Sequence, residues 1–580
     1  MQQRIDPLAY CAHHFGLGNA ETWRRAAHWA GYGFVTTLPA PPPLPEPVAR
    51  LDRLGELRSI RLIVASADRL FVAPHFAQVI QLAQRRDDGL AGSIAFAPPE
   101  AIERAIAIAA SDQLMDNARQ RISLLWPAAS AADLPRHVRA GFAIFIVAVI
   151  CLAMLAGVVF RPFLIPVVAL ALMAPGLLRF IAALPAATPR EPPPLPDAEL
   201  PVYSILIPLR DEAQMVPLLH RAMSQLDYPA HLLDIKFVVE AKSPATVRAV
   251  EATLADPRFR LIVVPPGPPH TKPKALDYAL PLARGEFVVV YDAEDVPDAD
   301  QLRRAATLFR ADPGLACLQA ELVPENGHEN ALTALFAGEY AGLFSRLLPA
   351  LARWRLPMPL GGTSNHFRTS VLRDIGGWDA FNVTEDADLG VRLARRGQRA
   401  ETFASETHEE APLTLPAWTA QRTRWMKGWM QTYCVHGRTP RALLRDLGWR
   451  GFLGFHVLVG GMIVSSLLHT MFLSTLFARV VFEGPGALVP VDVWDFFALA
   501  IIGAGYGGAV ALTLSGLVHQ RSLHLAPYQL LLPAYWLLHS VATLLATIEL
   551  LTAPTHWSKT RHGVTRLERR STEEEEAVGE

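Results

Sequence analysis

The sequence predicts an α/β domain embedded in a multi-span α-helical membrane protein, with a small additional α/β domain at the N-terminal side. Three observations predict this fold class. The 580 residues exceed the length of one ordinary domain. Hydrophobic residues make up 51% of the chain, which favours membrane segments. Between the long apolar runs, short strand and helix patterns alternate, which is typical of a mostly parallel sheet covered by helices.

Composition argues against several other classes of protein. The net charge is −1, so no bulk electrostatic attraction favours a nucleic-acid partner. The four cysteines are scattered without a CxxC pair, which argues against a disulfide framework or a zinc site and fits a reducing compartment. The first residues are polar and the first long apolar run begins near residue 140, so no signal peptide is predicted.

Residues 1–130 are predicted to form a soluble domain. Its predicted elements, separated by a proline-rich connector at residues 39–48, are helices at 22–32, 74–85 and 98–110 and strands at 59–66 and 93–96. The succession of RLIVAS, a helix and IAFAPPEAIERAIA resembles the N-terminal domain of type II secretion ATPases. That resemblance implies a regulatory or partner-binding module. Cyclic di-GMP would act through this module or through a partner protein. An inert structural cap is the alternative.

Residues 138–184 are predicted to form two transmembrane helices. Two apolar runs, at residues 140–160 and 162–184, each have about the 20 residues that span a bilayer core. Basic side chains precede the first run and follow or end the second: Arg136, His137, Arg139, Arg179 and Arg190. By the positive-inside rule, both outer flanks lie in the cytoplasm. A buried helical hairpin of a soluble domain is the alternative. A proline-rich linker at residues 185–201 follows.

Residues 200–440 are predicted to form the main α/β domain. Strands are predicted at residues 202–208, 235–239, 261–264 and 287–291, and helices between them at 212–226, 245–254 and 273–283. Ligands of such sheets bind at the carboxyl ends of the strands. Neither GxGxxG after the first strand nor GxxxxGK[ST] occurs, which argues against dinucleotide oxidoreductases and P-loop NTPases.

Residues 450–551 return to the membrane. Three long apolar runs occupy residues 452–482, 496–518 and 525–551. Three single crossings would place the tail, residues 552–580, opposite the cytoplasm, although it carries five basic residues between 559 and 570. The positive-inside rule favours a cytoplasmic tail. One run must therefore cross twice or end as an interfacial helix, for which residues 543–551 are the candidate.

The stretch GEFVVVYDAEDVPDAD at residues 285–300 organises the main domain. An unbroken apolar run predicts a buried strand, and it ends in the acidic residues Asp292, Glu294 and Asp295. Carboxylates at such a strand end are hard oxygen ligands that suit Mg²⁺ or Mn²⁺ carrying a diphosphate. A solvated acidic turn is the alternative.

Four motifs in this domain appear in a specific order. They are SILIPLRDE at residues 204–212, VVEAKS with Glu240, DAED at 292–295, and TED at 384–386 followed by QRTRW at 421–425. This set resembles the GT-A domain of processive family 2 glycosyltransferases, the membrane polysaccharide synthases related to cellulose, hyaluronan and poly-N-acetylglucosamine synthases. The resemblance covers roughly residues 200–563, including the flanking membrane helices.

The resemblance implies residues that bind a UDP-sugar donor. Pro208, Arg210 and Glu212 lie in the loop that resembles the family's uridine-binding loop. Glu240 stands where the family usually has an aspartate that contacts the base. Lys272 matches a lysine that approaches the diphosphate. Glutamate at position 240 adds one methylene to the reach of the family's aspartate.

The resemblance also implies a metal site and a catalytic group. Asp292 and Glu294 match the two carboxylates of the DxD metal motif, although Glu294 is again longer than aspartate and Asp295 could take its place. Asp386, preceded by Glu385, matches the general base that deprotonates the acceptor hydroxyl. Gln421, Arg424 and Trp425 match the QxxRW motif of the family, whose residues hold the diphosphate and the acceptor sugar near the membrane.

Each motif also has a simpler interpretation. TED precedes LGVRLARRG and is typical of a helix start, which is compatible with a catalytic role. QRTRW could be a basic and aromatic patch on a membrane-lying helix. GGTSNHF at residues 361–367 could be an ordinary loop, although it lies where the family binds its acceptor. HWSKTRHG at residues 556–563 resembles the post-membrane segment of related synthases, which could gate the nucleotide site.

The sequence therefore predicts an inverting, processive glycosyltransferase of the bacterial inner membrane with a cytoplasmic catalytic domain. It would use a UDP-sugar and Mg²⁺ or Mn²⁺ to extend a β-linked polysaccharide and export it, in contact with the lipid bilayer and with envelope or export partners. The metal, Lys272 and Arg424 would neutralise the leaving diphosphate, and Asp386 would activate the acceptor. The alternatives are a non-processive transferase acting on a lipid-linked acceptor and a non-catalytic secretion or signalling membrane protein.

Overall fold

The computed structural model describes residues 6–43, 51–64, 66–156, 173–185, 191–484, 486, 489–490 and 492–557. Several predicted features lie wholly or partly outside these residues. They are the end of the connector at 39–48, the join between the two predicted N-terminal spans, part of the linker at 185–201, and the tail from residue 558 onward. The described residues form an N-terminal α/β domain, a central α/β domain and a set of long apolar helices.

The N-terminal domain is built on a four-stranded sheet in the order β1-β4-β3-β2. Its strands are β1 (Gly33–Phe34), β2 (Ser59–Val64), β3 (Ala67–Val72) and β4 (Ile94–Phe96), and its helices are α1 (Pro7–His14), α2 (Gly18–Ala30), α3 (Phe76–Gln84), α4 (Asp88–Ser93), α5 (Pro99–Ala109) and α6 (Ser111–Leu125). β2 and β3 form an antiparallel hairpin, whereas β4 runs parallel to both β1 and β3. Buried Trp23, Phe71 and Phe96 fill the space between sheet and helices.

The N-terminal domain docks onto the central domain through buried charge. Lys236 of the central domain is fully buried and its Nζ pairs with Glu103 of α5 and, at 3.0 Å, with Asp234 Oδ1. Tyr278 donates a hydrogen bond of 3.4 Å to Ser111 of α6. A buried ammonium requires carboxylate partners because desolvation of an unpaired charge is costly. The N-terminal domain therefore supplies, through Glu103, one of the two carboxylates that pair with the buried Lys236 of the central domain.

Replacing Glu103 with alanine should destabilise the chain by about 3 kcal/mol, because the buried Lys236 would lose one of its two carboxylates. Thermal unfolding of the purified chain measures this loss. Glu100→Ala is the matched control on the same helix: Glu100 is 37% exposed, lies 3.9 Å from Arg260 and accepts one hydrogen bond of 3.1 Å from Asn19, so its loss should cost about 1 kcal/mol, less than that of Glu103. Equal losses for the two variants would contradict the prediction.

The central domain contains an eight-stranded sheet in the order β7-β6-β5-β8-β11-β10-β12-β9. The strands are β5 (Tyr203–Leu209), β6 (Leu233–Glu240), β7 (Phe259–Val264), β8 (Phe287–Val290), β9 (Val296–Pro297), β10 (Leu315–Pro324), β11 (Asn365–Arg368) and β12 (Arg399–Glu409). The predicted α/β class is confirmed, and six of the eight strands run in one direction as predicted, but the sheet is mixed. The reason is that β11 runs antiparallel between β8 and β10, and β9 antiparallel to β12.

Helices cover both faces of this sheet. They are α9 (Val216–Ser224), α10 (Pro244–Glu251), α11 (Lys272–Ala279), α12 (Gln301–Ala311), α13 (Ala331–Gly342), α14 (Leu348–Trp354), α15 (Thr369–Asp374), α16 (Glu385–Arg395) and α17 (Leu415–Gly437). The helix predicted at residues 212–226 is shorter, because a 3₁₀ turn precedes α9. α6 of the N-terminal domain packs against α11, whose first residue is Lys272. The N-terminal domain thus supports the half of the sheet predicted to bind the donor.

The apolar helices are α7 (Arg136–Ala156), α8 (Met173–Ala183), α18 (Pro440–Phe455), α19 (Gly461–Glu483), α20 (Val493–His519) and α21 (Leu532–Thr552). Within the described residues, three helical stretches are long and apolar enough to cross a membrane: Pro440–Met471, Asp495–His519 and Leu523–Thr552. α18 bends at Gly448, whose φ is +65°. A π-helical turn, His456–Gly460, joins α18 to α19.

α21 lies alongside α17 over most of its length. Near its start, Tyr535 accepts a 3.0 Å hydrogen bond from Trp418 Nε1, and near its end Glu549 pairs with Lys427 Nζ at 2.7 Å. The predicted interfacial segment at residues 543–551 is not a separate helix, because it continues the helix that begins at Leu532. Both ends of α21 therefore contact the central domain.

Candidate functional site

One cavity of about 390 Å³ lies at the carboxyl ends of β5, β6 and β8 and extends to the apolar helices. All twelve residues predicted for the site line it: Pro208, Arg210, Glu212, Glu240, Lys272, Asp292, Glu294, Glu385, Asp386, Gln421, Arg424 and Trp425. Asp295 is not among its lining residues. Residues separated by more than 200 positions in the sequence thus line one cavity, which strand ends and the helices α16 and α17 form together.

The ends of β5 and β6 form the polar mouth of the cavity. Glu240 pairs with the fully buried Lys274 at 2.9 Å through Oε1, while its Oε2 accepts no hydrogen bond in the described structure. Arg210 donates a hydrogen bond of 3.3 Å to the carbonyl of His270. A buried carboxylate oxygen without a donor favours a ligand that supplies an N–H or O–H group. The position fits the predicted contact with a nucleotide base.

Lys272, Asp292 and Asp386 converge on the backbone of Gly362. Lys272 Nζ lies 2.5 Å from Asp292 Oδ1 and donates to the Gly362 carbonyl at 2.5 Å. A Cβ atom added to Gly362 would lie 3.1 Å from Asp386 Oδ2 and 3.9 Å from Asp292 Oδ2. The glycine therefore lets the loop at residues 361–367 approach all three charged groups. Burial opposes the charge of Lys272, but Asp292 and Glu385 raise its pKa above the ordinary value.

The three acidic residues after β8 face different directions. Asp292 and Glu294 line the cavity. Asp295 instead points inward, where its Oδ2 accepts hydrogen bonds from the Asp292 amide at 2.7 Å and from the Thr363 hydroxyl. Burial, followed by the neighbouring carboxylates Asp292 and Glu294, raises the pKa of Asp295 well above its ordinary value. Asp295 therefore holds the backbone of the acidic turn through these hydrogen bonds. Glu294 is the carboxylate that lines the cavity together with Asp292.

These carboxylates fit a divalent cation only in part. Among the residues that the structure describes, no group of three or more His, Cys, Asp or Glu side chains is arranged to hold a metal. Asp292 and Glu294 nevertheless offer hard oxygen donors on one wall. Mg²⁺ in nucleotide sites is commonly held by one or two carboxylates together with substrate phosphates and water. The donor set thus fits a metal that arrives with a diphosphate.

The TED motif forms the first turn of α16. Thr384 occupies the N-cap position, as the helix-start interpretation predicts, but its hydroxyl makes no capping hydrogen bond. Asp386 Oδ1 accepts a hydrogen bond of 2.7 Å from the amide of Ala387. Burial, helped by the charge of Asp386, raises the pKa of Glu385 to about 7. Burial also raises the pKa of Asp386, although the Ala387 amide, Lys272 and Arg424 oppose that rise.

α17 fixes the position of this turn through a glycine. A Cβ atom added to Gly428 would lie 2.2 Å from Thr384 Oγ1 and 2.5 Å from its Cγ2. A close approach of this kind cannot be relieved without moving Thr384, which immediately precedes Glu385. The position of the carboxylates of α16 therefore depends on a small residue in the facing helix.

Gly428→Ala should lower the turnover number and destabilise the fold. Alanine gains about 1 kcal/mol of helix propensity, but overpacking typically costs about 1–3 kcal/mol, so the net change should be unfavourable. Gly437→Ala on the same helix is the control, because a Cβ atom there meets nothing within 4 Å and should stabilise the helix by up to about 1 kcal/mol. Thermal unfolding and initial transfer rates measure both variants. A Gly428→Ala chain as active and stable as the control would contradict this account.

The QRTRW motif lies on α17 at the inner end of the cavity. The guanidinium carbon of Arg424 lies 5.3 Å from the centre of the Trp557 ring. The positive charge of Arg424 interacts with the negative charges of Glu385, Asp292 and Asp386. Trp425 stacks near Tyr340, with ring centres 6.2 Å apart. Gln421 Oε1 is buried and accepts no hydrogen bond in the described part of the chain. These three side chains therefore present a cation, an aromatic face and a free acceptor to the cavity.

Arg422, the second residue of the motif, has a structural partner that the sequence did not reveal. Its guanidinium forms two hydrogen bonds with Glu339 of α13, at 2.9 and 2.7 Å, and Glu339 also accepts from Tyr535 at 2.9 Å. Burial opposes the charge of Glu339, yet Arg422 helps to lower its pKa to about 2. A lone glutamate in the apolar run ALFAGEYAGLF is the signal that could have predicted this ion pair.

Glu409 is a further cavity residue that the sequence analysis missed. It ends β12 and lines the cavity near the acidic turn. Burial, followed by the charges of Asp295, Glu294 and Asp292, raises its pKa well above the ordinary value. Its place at the carboxyl end of a strand, in THEEAP, is the same signal that identified Asp292.

A second cavity of about 190 Å³ adjoins the first among the apolar helices. The two cavities share Arg179, Glu339, Arg422, Trp425, Trp429 and Trp536 as lining residues. The second cavity is further lined by His469, Tyr506 and His539. Tyr506 and Trp536 stack with ring centres 5.0 Å apart. Aromatic faces interleaved with polar groups thus continue from the first cavity into the helical region.

Comparisons with known proteins identify part of the central domain. Residues 287–482 match the model of the family "Glycosyl transferase family group 2". The chain is 28% identical over 233 residues to "Probable glycosyltransferase YdaM" of Bacillus subtilis, covering 40% of this chain and 56% of that protein. It is 28% identical over 239 residues to "Beta-monoglucosyldiacylglycerol synthase" of Trichormus variabilis, covering 40% and 50%. "Glucomannan 4-beta-mannosyltransferase 2" of Arabidopsis thaliana is 25% identical over 245 residues, covering 40% and 45%.

A solved structure also resembles this chain. "Mannosyltransferase PcManGT from Pyrobaculum calidifontis in complex with GDP-Man and Mn2+" is 21% identical, covers 60% of this chain and 99% of that chain, and superposes with a TM-score of 0.39.

The matched segment spans about half the length of each curated relative. The family 2 part of the predicted resemblance is confirmed, whereas the processive subgroup and the secretion-ATPase resemblance stay predictions. Residues 287–482 therefore match a family 2 glycosyltransferase domain, and this segment contributes seven of the twelve predicted residues that line the cavity.

Proposed function

We propose that this chain is an inverting, membrane-associated glycosyltransferase that moves a sugar from a UDP-sugar to the hydroxyl group of a growing β-linked polysaccharide. One observation supports this most strongly. The twelve predicted residues line a single cavity in which Asp386, Lys272 and Asp292 surround Gly362. A carboxylate, an ammonium and a second carboxylate at this spacing provide a base, a phosphate partner and a metal ligand.

The donor binds across the ends of β5, β6 and β8. Glu240, with its unbonded Oε2, accepts a hydrogen bond from the base, and Arg210 and Glu212 border the same end of the cavity. Lys272 and Arg424 both line the cavity and would contact the diphosphate. Two cations in a buried cavity stabilise the negative charge that develops on the leaving group.

Asp292 and Glu294 would hold Mg²⁺ or Mn²⁺ together with the donor diphosphate. When bound, the cation supplies Lewis-acid stabilisation of the leaving nucleotide. Asp295 holds the turn in place from behind through the Asp292 amide. Lys272, which pairs with Asp292 in this structure, is close enough to transfer its contact to a phosphate oxygen.

Asp386 acts on the acceptor. Its carboxylate takes the proton of the acceptor hydroxyl while that oxygen forms a bond with the anomeric carbon of the sugar. The bond between the anomeric carbon and the diphosphate oxygen breaks, and UDP leaves with the bonding electrons. A single displacement of this kind inverts the anomeric configuration, in keeping with an oxocarbenium-like transition state. Glu385, beside Asp386, has a pKa raised to about 7, so its protonation state sets the total charge of the two carboxyl groups.

The membrane helices close one end of the cavity, which supports a membrane-bound acceptor. Asp446 of α18 pairs with Arg395 at 2.7 Å, and His519 at the end of α20 lies 3.2 Å from Glu321. The chain thus leaves the central domain through α18 and α19, returns through α20, and then lies along α17 through α21. With α19 and α20 each crossing once and α21 lying along α17 instead of crossing, the residues after α21 lie on the catalytic side. Because the tail is basic, the proposal assigns that side to the cytoplasm of an inner-membrane protein.

Transfer to a lipid acceptor is the second candidate function. The cavity is lined by residues of α8, α19, α20 and α21, so a lipid headgroup could enter from the bilayer. Several relatives are named for lipid glycosylation, as the synthase of Trichormus variabilis is. The continuation into the second cavity favours a polymer, because a single transferred sugar needs no passage beyond Trp425.

The test is transfer by purified membranes supplied with radiolabelled UDP-glucose or UDP-N-acetylglucosamine and Mn²⁺. High polymer that disappears in the Asp386→Asn variant supports the polysaccharide assignment. A lipid product carrying one sugar supports the second candidate instead. No transfer from any sugar nucleotide, under conditions in which a related synthase works, would overturn both and favour a non-catalytic role.

A further inference from the structure

The segment after the middle of α21 returns to the catalytic cavity. We define residues 549–557 as the strap. Lys427 of α17 is fully buried and its Nζ donates to Glu549 Oε2 at 2.7 Å and to the His556 carbonyl at 2.6 Å. Trp557, the last residue of the strap, lines the cavity beside Arg424. The strap therefore forms part of the cavity wall, although it lies far from the other motifs in the sequence.

The neighbouring face of α17 holds the loop that precedes Asp386. We define residues 382–384 as the base loop. Asn382 Nδ2 donates to Thr432 Oγ1 at 3.0 Å, and Thr384 packs against Gly428. Between these two contacts, the Val383 amide donates to Gln431 Oε1 at 3.1 Å. The position of the base loop is thus fixed by one face of α17.

Gln431 joins the strap to the base loop with a single side chain. Its Oε1 accepts the Val383 hydrogen bond, and its Nε2 donates to the Pro554 carbonyl at 2.9 Å. The residue is only 2% exposed, so neither hydrogen bond competes with bulk water. Both ends of the amide are used, and each holds a backbone group three residues from a cavity side chain, Asp386 on one side and Trp557 on the other.

We propose that Gln431 is a positioning residue that couples docking of the strap to placement of Asp386. This inference rests on the proposed function, because it takes Asp386 as the base. A buried amide can also be a merely satisfied core group, which would affect stability alone. A positioning residue differs from such a core group in two ways. Its loss should release both the strap and the base loop, and the change in kinetics should depend on which half of the amide remains.

Two substitutions separate the two halves of the amide. Gln431→Met keeps the size of the side chain but removes both hydrogen bonds. Gln431→Glu keeps an oxygen to accept from the Val383 amide, whereas its other oxygen faces the Pro554 carbonyl and repels it. Thr423→Val on the same helix is the matched control, because the buried Thr423 hydroxyl makes no hydrogen bond in the described part of the chain.

The experiment measures amide hydrogen exchange of residues 382–390 and 545–557 in the purified full-length chain, together with kcat and KM for UDP-sugar. Gln431→Met should speed exchange in both segments and lower kcat about tenfold, the rate change that corresponds to about 1.4 kcal/mol of lost positioning of Asp386. Gln431→Glu should speed exchange only in the strap and raise KM with kcat largely kept. Thr423→Val should resemble the parent chain in every readout.

Two results would overturn the coupling. One is unchanged exchange in both segments of Gln431→Met. The other is a general loss of protection that Thr423→Val shares, with no segment-specific effect. The exchange readout needs no turnover, so it also separates the two proposals. Segment-specific release in a chain that transfers no sugar would support the coupling between strap and base loop while contradicting the proposed function.

Discussion

Asp386→Asn should reduce the rate of sugar transfer by about 10²–10⁴-fold while the fold stays intact, because asparagine cannot accept the proton of the acceptor hydroxyl. The carboxylate lies beside Lys272 and Asp292 around Gly362, and its pKa is raised by burial. A carboxyl group with a raised pKa in the folded state destabilises that state once it ionises. Removing it should therefore leave the melting temperature at neutral pH unchanged or higher.

The pH profile provides a second readout of the same pair. Only ionised Asp386 can act as a base, so kcat/KM should rise with pH on an acidic limb displaced upward from the range of ordinary aspartates. Glu385, whose pKa is raised to about 7, interacts with Asp386, and the two groups titrate as a coupled pair. Glu385→Gln removes the neighbouring charge and should move the acidic limb to lower pH.

Initial rates of transfer between pH 5 and 9, with thermal unfolding of each variant, check both expectations. Asp374→Asn is the control, since Asp374 is exposed on α15 and outside the cavity. Retention of most activity by Asp386→Asn would remove Asp386 as the base. A large drop in melting temperature would instead indicate that the residue is structural.

Strand ends point to only part of the cavity, whereas its helical residues, such as Asp386 on α16 and Arg424 on α17, were predicted from the family resemblance. Glu240 and Asp292 each come directly after an apolar run that is long enough for a strand and too short for a helix. Parallel strands bring their carboxyl ends to the same edge, so local patterns suffice to place such groups together. The mixed order of the sheet could not be predicted, because the position of β11 depends on pairing with β8 and β10, not on its own four residues.

Contacts between distant helices were also beyond local patterns. The packing of Gly428 on Thr384 and the two hydrogen bonds of Gln431 depend on how α17 lies against α16 and the strap. In the sequence, both residues are unremarkable members of a long helix. The uncertain choice between Glu294 and Asp295 had the same origin, since adjacent residues after a strand can face either way.

That choice leads to the second large expected effect. Asp292→Asn should lower transfer by about 10²–10³-fold, since a lost metal ligand removes several kcal/mol of charge stabilisation from the leaving diphosphate. It also leaves Lys272 without its 2.5 Å partner. Glu294→Gln should raise the Mn²⁺ concentration needed for half-maximal rate by roughly tenfold. Asp295→Asn should leave that concentration unchanged.

The contrast between Glu294 and Asp295 decides which side chain accompanies Asp292. Asparagine at position 295 can still accept the hydrogen bond of the Asp292 amide, so the acidic turn should keep its shape. Mn²⁺ titration of the transfer rate and calorimetric titration of Mn²⁺ in the presence of UDP give independent readouts. A shift of both in Asp295→Asn but not in Glu294→Gln would reverse the assignment. Equal shifts in the two variants would also contradict the assignment, because Asp295 contacts the amide of Asp292 and does not line the cavity.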